Sequence, residues 1–282
     1  MRILTSLLSA ALVTLAGVAQ AQKNFQGLET IGKPEPKGMG FQFPATELMR
    51  DLVWLDNFLL VIITVISVFV TCLLAYAAFK FHRSRNDTPG TFTHHSVLEV
   101  AWTVVPVGIL VVIGAFSLPI LFKQQEIPEA DITIKVTGYQ WYWGYEYVDH
   151  DFGFDSVMLQ KDELADYGYA PDEYLLATDT AVVVPVGATV VMQLTGADVI
   201  HSWTIPAFGV KQDAVPGRLA ELWFAAEKEG VYFGQCSELC GQAHAYMPIT
   251  VKVVSQEQYD AWLSSTIEEL AGVPQSVQVA SN

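Results

Sequence analysis

A twelve-residue stretch in the C-terminal half of the chain concentrates side chains that bind soft metal ions. It begins with Cys236-Ser-Glu-Leu-Cys240 and continues through His244 to Met247. Thiolate and thioether sulfur, together with imidazole nitrogen, select copper, zinc or iron–sulfur clusters over hard cations. A further histidine, His201, lies 35 residues upstream of Cys236. The chemistry open to this chain therefore depends on which metal these residues hold and on how many ions of it.

Several kinds of site are compatible with two cysteines this close together. In an oxidising compartment they could form a disulfide, which would not need the neighbouring His and Met. Two Cys and two His could complete a structural zinc site, although zinc does not usually recruit a thioether. A Cys-x3-His-x2-Met order, preceded by a distant His on another strand, is instead the ligand order of a mononuclear blue-copper site in a β-sandwich.

Cys236 adds one thiolate more than a mononuclear blue-copper site requires. Two thiolates can bridge two copper ions, and His201 and His244 would then each be a terminal ligand to one ion. Met247 would complete one coordination sphere. A backbone carbonyl between the cysteines, with that of Glu238 as the candidate, would complete the other. No position then stays open for a substrate, so the pattern indicates electron transfer rather than oxygen binding.

The net charge of −15 is unevenly distributed along the 282 residues, 51% of which are hydrophobic. From Lys123 onward there are 23 acidic and 7 basic residues, whereas the part up to Phe122 has 7 acidic and 8 basic ones. The chain is too apolar for a disordered protein and too acidic for a nucleic-acid binder. Its acidic C-terminal part is either a solvated surface or a docking face for a basic protein, whose approach such a field would steer.

Three apolar segments indicate secretion and membrane anchoring. Residues 1–21 have the positive start, short apolar core and Ala-x-Ala end of a signal peptide. The runs 58–79 and 100–122 contain no charged residue, and each is long enough to span a hydrocarbon core of about 30 Å. The loop 80–99 carries three basic residues close to the first run and is predicted to be cytoplasmic. Both ends of the mature chain would then lie in the periplasm.

The rest of the chain divides into a lead and a domain. Residues 22–57 form the predicted periplasmic lead, in which 45–57 are expected to form a short helix on the membrane surface. Residues 123–282 contain short alternating runs between Gly and Pro turns, which predicts an all-β Greek-key sandwich or barrel. A helix is predicted over 257–270, and the stretch 148–172 has the composition of a loop or insertion. The fold class is thus a transmembrane α-helical hairpin followed by an all-β domain.

On these features the chain resembles subunit II of the haem–copper cytochrome c oxidases, of the bacterial aa3-like type. The likeness covers the whole mature chain. The motifs that carry it are Gln140-Trp-Tyr-Trp-Gly-Tyr-Glu-Tyr147, His201-Ser-Trp-Thr-Ile-Pro206, Lys211-Gln-Asp-Ala-Val-Pro-Gly-Arg218 and the loop from Cys236 to Met247. The resemblance implies a cupredoxin-like domain with a dinuclear copper A centre. The ligands that it implies are His201, Cys236, Glu238 through its carbonyl, Cys240, His244 and Met247.

The resemblance also implies roles outside the copper ligands. Trp141 would be the residue through which electrons enter. The carboxylate of Glu238 would bind a non-redox Mg²⁺ at the boundary with subunit I, since carboxylates suit hard cations. Glu99 would lie at the mouth of a proton-uptake path on the cytoplasmic side. The docking patch for cytochrome c would comprise Glu146, Asp155, Asp179 and Asp198.

The implied function is to accept electrons from reduced cytochrome c and pass them to haem in subunit I, for oxygen reduction coupled to proton pumping. Neither predicted span contains a histidine, so the haems and the oxygen-reducing site would belong to a partner subunit. The expected partners are subunit I, other oxidase subunits, cytochrome c and membrane lipid, in a bacterial inner membrane. Two rivals stay open. A metallochaperone would keep a more exposed site, and a nitrous oxide reductase-like electron-transfer domain would lack the hairpin.

Overall fold

The computed structural model describes residues 25, 27–86, 88 and 90–270 of the chain. These residues form two compact units. One contains the described parts of 1–50 and 124–282, and the other is Asp51–Lys123. The predicted signal peptide, residues 1–21, lies outside the described residues.

Two long helices account for most of the second unit. Helix α1 spans Glu47–Lys80 and helix α2 spans Ser96–Gln125. Within the described residues, these two helices are long and apolar enough to cross a membrane. Both predicted spans lie inside them. The separate surface helix predicted for 45–57 is wrong: no Gly or Pro interrupts the chain from Glu47 to Lys80, so one helix continues into the apolar run.

Aromatic side chains join the two helices inside this unit. The ring centroid of Phe116 lies 5.6 Å from that of Trp54 and 5.2 Å from that of Phe58. Nearby, Lys123 Nζ lies 2.7 Å from a carboxylate oxygen of Asp51. An ion pair this exposed contributes little to stability, so the aromatic cluster is the stronger of the two contacts.

The first unit is a β-sandwich. Its strands are β1 (Thr30–Gly32), β2 (Ile132–Tyr139), β3 (Tyr142–Tyr147), β4 (Phe152–Ser156), β5 (Val182–Pro185), β6 (Thr189–Gly196), β7 (His201–Ile205), β8 (Val210–Ala214), β9 (Ala220–Ala225), β10 (Gly230–Gln235) and β11 (Pro248–Val254). One sheet has the order β4-β3-β2-β6-β9, another has the order β1-β10-β11-β5, and β7 and β8 form a hairpin. Alternate residues of β2 are buried, and one core cluster draws on both larger sheets, as in two sheets packed face to face.

The segment 148–172, which had no predicted role, belongs to a structured insertion. It contains β4, and with the residues after it forms a second small core that packs on β10 through Val231 and Phe233. The N-terminal lead, residues 22–57, is attached to this part of the β-sandwich through β1. Thr30 donates a hydrogen bond of 2.6 Å to the buried Glu173 carboxylate, and β1 pairs in parallel with β10. The lead is thereby attached to the β-sandwich as an extra strand.

The β-sandwich brings the candidate ligand segments together. Strands β10 and β11 pair antiparallel, with Gln235 opposite Pro248, so the twelve residues between them close into one loop with both ends fixed to the sheet. His201 opens strand β7. The Ser237 N–H donates a hydrogen bond of 3.0 Å to the Ser202 carbonyl, which joins the loop to β7. The predicted C-terminal helix is present as α3 (Gln256–Leu270), whose buried Trp262 packs on Tyr147 of β3.

Candidate metal centre

The six candidate ligands meet at one end of the sandwich. Cys236 Sγ lies 3.9 Å from Cys240 Sγ, 3.9 Å from His201 Nδ1 and 3.4 Å from the Glu238 carbonyl oxygen. Cys240 Sγ lies 3.5 Å from His244 Nδ1 and 3.5 Å from Met247 Sδ. Each donor atom is therefore within 3.9 Å of at least one other donor. Ligand atoms of His201, Cys236 and Cys240 all lie within 4.8 Å of one another.

The sulfur positions argue against a disulfide between the cysteines of this loop. A disulfide requires about 2.05 Å between the sulfur atoms, whereas Cys236 and Cys240 are 3.9 Å apart and both are free thiols. His201, both cysteines and Met247 are buried. His244 is half-buried. A set of two thiols, two imidazole nitrogens, a thioether and one carbonyl fits a soft metal and offers little to a hard one.

The two thiols differ in acidity. Burial disfavours the Cys236 thiolate, but contacts with His201 and with backbone and side-chain donors of the site outweigh burial and lower the pKa of Cys236 to about 7. Burial raises the pKa of Cys240 to about 12, and the adjacent Cys236 adds to this effect. Once one of the two thiols is ionised, its negative charge disfavours ionisation of the other. A cation bound between the sulfur atoms would relieve this repulsion.

A carboxylate orients the His201 ring. Asp198 Oδ1 lies 2.8 Å from His201 Nε2, which leaves Nδ1 on the side of Cys236. Burial of His201 disfavours its charged form, but the contacts with Cys236 and Asp198 outweigh burial and raise its pKa. The other face of the ring is tightly packed, since a Cβ on Gly138 would come within 2.7 Å of the imidazole. Such outer contacts fix which ring nitrogen faces a metal.

Two tryptophans of the predicted aromatic box donate to the ligand loop. Trp141 Nε1 donates to the carbonyl of Cys240 at 3.2 Å, and Trp143 Nε1 donates to the carbonyl of Met247 at 3.2 Å. Trp143 is fully buried, whereas Trp141 is half-buried. Trp141 thus contacts the ligand loop on one side and keeps part of its indole at the surface.

The four predicted docking carboxylates have different surroundings. Glu146 is exposed on β3 and pairs with Lys135 at 2.9 Å, and Asp155 is exposed on the neighbouring β4. Asp179 is half-buried and accepts hydrogen bonds from the N–H groups of Val157 and Thr180; burial nonetheless raises its pKa. Glu146 and Asp155 thus lie at exposed positions of neighbouring strands, although burial raises the pKa of the Asp155 carboxyl.

Asp198, the fourth of these residues, is committed to the site itself. Its Oδ1 contacts His201 and accepts from the Val199 N–H at 2.7 Å, and its Oδ2 accepts from the Gln140 N–H at 2.8 Å. Burial acts against its charged form, but these hydrogen bonds outweigh burial and lower its pKa. Internal partners thus engage both carboxylate oxygens.

The remaining predicted residues lie at the surface of their own units. The Glu238 side chain is exposed, although its carbonyl points to Cys236. Glu99 is half-buried in the first turn of α2, where its carboxylate accepts a hydrogen bond of 3.0 Å from the His95 N–H. This is a helix-capping contact. The magnesium role of Glu238 and the proton-path role of Glu99 stay predictions.

Sequence reasoning missed the outer contacts of the centre. The contacts of Gln140 with Cys240 and of Gly138 with His201 join residues far apart along the chain, so only the fold shows them. Asp198 lies three residues before His201, and a spacing of three residues does not by itself indicate an orienting contact. In the sequence, Gln140 is the first residue of the aromatic box. Nothing in the local pattern marked it as a contact of Cys240.

Comparisons with known proteins agree with this geometry. The family model "Cytochrome C oxidase subunit II, periplasmic domain" matches residues 132–254, and "Cytochrome C oxidase subunit II, transmembrane domain" matches residues 34–120. The chain is 61% identical over 274 residues to cytochrome c oxidase subunit 2 of Cereibacter sphaeroides, covering 92% of this chain and 90% of the relative. It is 46% identical over 252 residues to the probable subunit 2 of Rickettsia bellii, covering 89% and 91%.

A solved structure is also similar. The periplasmic domain of subunit II of cytochrome oxidase (CoxB) of Bradyrhizobium japonicum is 49% identical, with 51% of this chain and 98% of that chain covered and a TM-score of 0.46. The family matches confirm the predicted fold class, a transmembrane helical pair with an all-β cupredoxin-like domain. The chain belongs to the cytochrome c oxidase subunit II family.

Proposed function

We propose that this chain is the electron-accepting subunit of a cytochrome c oxidase, taking electrons from reduced cytochrome c and passing them to haem in subunit I. One observation carries the proposal. Two thiols, two imidazole nitrogens, a thioether and one carbonyl oxygen are gathered beside the half-buried Trp141, whose indole N–H donates to the carbonyl of Cys240. Family membership places the chain within an oxygen-reducing, proton-translocating oxidoreductase.

The donor set supports a dinuclear copper centre held by His201, Cys236, the Glu238 carbonyl, Cys240, His244 and Met247. When bound, a copper pair would supply a one-electron acceptor. The protein contributes a site that excludes water, because both thiols, Met247 and His201 are buried. It also contributes orientation, because Asp198 holds one nitrogen of His201 and the sheet fixes both ends of the loop.

Trp141 is the residue through which electrons would enter. Its half-buried indole offers a surface to a docked donor. Its Nε1–H bonds to the main chain of a ligand residue, so a path of one hydrogen bond and a few covalent bonds connects the surface to Cys240. The buried Trp143 has no such exposed edge and is better suited to support Met247.

The alternatives agree less well with these observations. A metallochaperone exchanges its metal and needs accessible ligands, whereas four of the side-chain ligands here are buried. A nitrous oxide reductase-like domain does not account for the match to a subunit II transmembrane domain over 34–120.

The assembly supplies what this chain lacks. Helices α1 and α2 contain no histidine, so the haems would be held by subunit I. The two helices support a two-pass subunit of a bacterial inner membrane, with other oxidase subunits and lipid around it and both ends in the periplasm. Glu238 would bind Mg²⁺ at the subunit I boundary, and Glu99 would serve a proton-uptake path.

Rapid mixing of reduced cytochrome c with the assembled oxidase tests the proposal. We expect fast oxidation of cytochrome c in preparations with full copper content, and loss of that fast phase after the copper is selectively removed. An equally fast phase in copper-depleted enzyme with its haems intact would refute the proposed role of this chain.

Neutralising the exposed carboxylates should weaken docking of a basic cytochrome c. For Glu146→Gln combined with Asp155→Asn we expect KM to rise about threefold to tenfold at low ionic strength, with kcat unchanged. The difference should vanish near 1 M salt, where the screening length is about 3 Å. The matched control is Glu268→Gln with Glu269→Gln, which removes the same charge from exposed positions on α3. Equal effects of both pairs would show that only net charge matters and would contradict a local docking patch.

A further inference from the structure

Gln140 connects the two chain segments that carry the candidate ligands. It lies between β2 and β3, directly before Trp141. Its backbone N–H donates to Asp198 Oδ2 at 2.8 Å, and the other oxygen of Asp198 lies 2.8 Å from His201 Nε2. Gln140 is thereby linked to the ligand on β7 through a single carboxylate.

The side chain of Gln140 makes a second connection. Its Nε2 donates to the carbonyl oxygen of Cys240 at 2.8 Å, and the same oxygen accepts from Trp141 Nε1 at 3.2 Å. A carbonyl oxygen has two lone pairs, so these two donors together satisfy it. The position of the Cys240 carbonyl is set jointly by Gln140 and Trp141.

Close packing leaves this arrangement little freedom. A Cβ on Gly241 would come within 3.0 Å of the Trp141 indole and 3.1 Å of Gln140 Nε2. Gly241 also has φ of +125°, a conformation that residues with a side chain rarely adopt. The backbone of the loop at Gly241 therefore packs closely against both donors, Gln140 and Trp141. A substitution that moves one donor is expected to shift the other.

We infer that Gln140 is a positioning residue for electron uptake. It fixes the Cys240 carbonyl relative to both His201 and the Trp141 indole, so that the indole and the ligand loop keep one geometry. This inference rests on the proposed function for its effect on electron transfer. The constraint that Gln140 places on the position of Trp141 does not depend on the proposed function, because it follows from the contacts within the chain.

A surface role in docking is the alternative, and it makes the opposite prediction for one variant. Gln140→Glu preserves the shape of the side chain, removes the Nε2–H donor and adds a negative charge. If Gln140 only contacted the basic donor, the added charge would lower KM at low salt. If Gln140 positions the carbonyl, a carboxylate facing the carbonyl oxygen repels it, and electron uptake slows even at saturating cytochrome c.

The experiment compares Gln140→Glu and Gln140→Met with Gln160→Glu in the assembled oxidase. Gln140→Met removes the donor without adding charge, and Gln160→Glu adds the same charge at an exposed position in the insertion. For both Gln140 variants we expect full copper content, an altered copper hyperfine pattern and electron uptake slowed by about tenfold or more at saturating donor. The dependence of the electron-uptake rate on salt concentration should be the same as in the control variant Gln160→Glu.

A metal-independent measurement accompanies these. In the copper-free, reduced full chain labelled with 5-fluorotryptophan, the fluorine resonance of Trp141, assigned with Trp141→Phe, should shift in both Gln140 variants and not in Gln160→Glu. A wild-type resonance, hyperfine pattern and saturated rate in the Gln140 variants would overturn the inference. An effect on KM alone would also overturn the inference. Loss of copper from both Gln140 variants would overturn it too, because Gln140 would then be a general structural support. If the wild type itself bound no copper pair, the proposed function would fail, and the fluorine resonance would still decide whether Gln140 constrains Trp141.

Discussion

Replacing Cys236 by serine is expected to reduce the copper content from two ions per chain to one at most, and to slow electron uptake from cytochrome c by at least about 100-fold. Cys236 Sγ is 3.9 Å from both Cys240 Sγ and His201 Nδ1, so it is the sulfur that joins the β7 ligand to the loop ligands. A serine hydroxyl is nearly the same size but is neither soft nor ionised near neutral pH. The loss exceeds the 10- to 100-fold typical of outer contacts because a ligand itself is removed.

The chain offers a matched control for this change. Cys72→Ser makes the same substitution at an exposed position within α1, among residues with no candidate ligand. Copper analysis and rapid-mixing kinetics on both variants, in the assembled oxidase, decide the outcome. Two copper ions and wild-type kinetics in Cys236→Ser would contradict a bridging role for this thiolate. Similar losses in Cys72→Ser would point to failed assembly rather than to loss of a ligand.

Trp141→Phe is expected to slow electron uptake by about 100-fold while the copper content stays that of the wild type and the spectrum remains that of a dinuclear centre. Phenylalanine retains an aromatic ring but cannot donate to the Cys240 carbonyl, and its smaller ring withdraws from the surface side of the site. Gln140 still donates to the same carbonyl, so the loop keeps one of its two supports. The ligands themselves are untouched, which is why we expect the centre to survive.

Trp223→Phe provides the comparison for Trp141→Phe. Trp223 is a half-buried tryptophan of the same five-stranded sheet, on β9, so it matches Trp141 in residue type and burial. The measurement is the rate of cytochrome c oxidation at saturating donor, together with the copper spectrum. If the spectrum of Trp141→Phe collapsed, Trp141 would be a structural residue. If the rate matched that of Trp223→Phe, electrons would enter elsewhere.

The sequence predicted the parts of the fold that local pattern controls. Strands such as β2, β6 and β11 alternate or run apolar over a few residues between turns, and the two membrane segments are long and free of charge. The ligand loop was predictable because its twelve residues are contiguous. The separate surface helix predicted for 45–57 was wrong because the chain from Glu47 to Lys80 has no Gly or Pro at which a first helix would end, so one helix continues into the apolar run.

The sequence did not show which hydrogen-bond partner each polar residue has. Asp179 and Asp198 resemble Glu146 in type, and all three were assigned to docking by resemblance. In the fold, Asp179 accepts from two backbone N–H groups and Asp198 holds His201. The contact between Gln140 and Cys240 joins residues 100 positions apart. The pairing of Gln140 with Cys240 arises from sheet register and loop closure, which no local pattern encodes, whereas Asp198 and His201 are only three residues apart.

Metal analysis of the wild-type full chain, purified without its partner subunits, combined with electron paramagnetic resonance, tests the central claim most directly. One unpaired electron shared equally by two copper nuclei of spin 3/2 gives seven hyperfine lines, whereas an electron on a single copper gives four. For the centre formed by His201, Cys236, Cys240, His244 and Met247 we expect two copper ions per chain and the seven-line pattern. A four-line pattern with one copper, or one zinc per chain without a signal, would contradict a dinuclear electron-accepting centre.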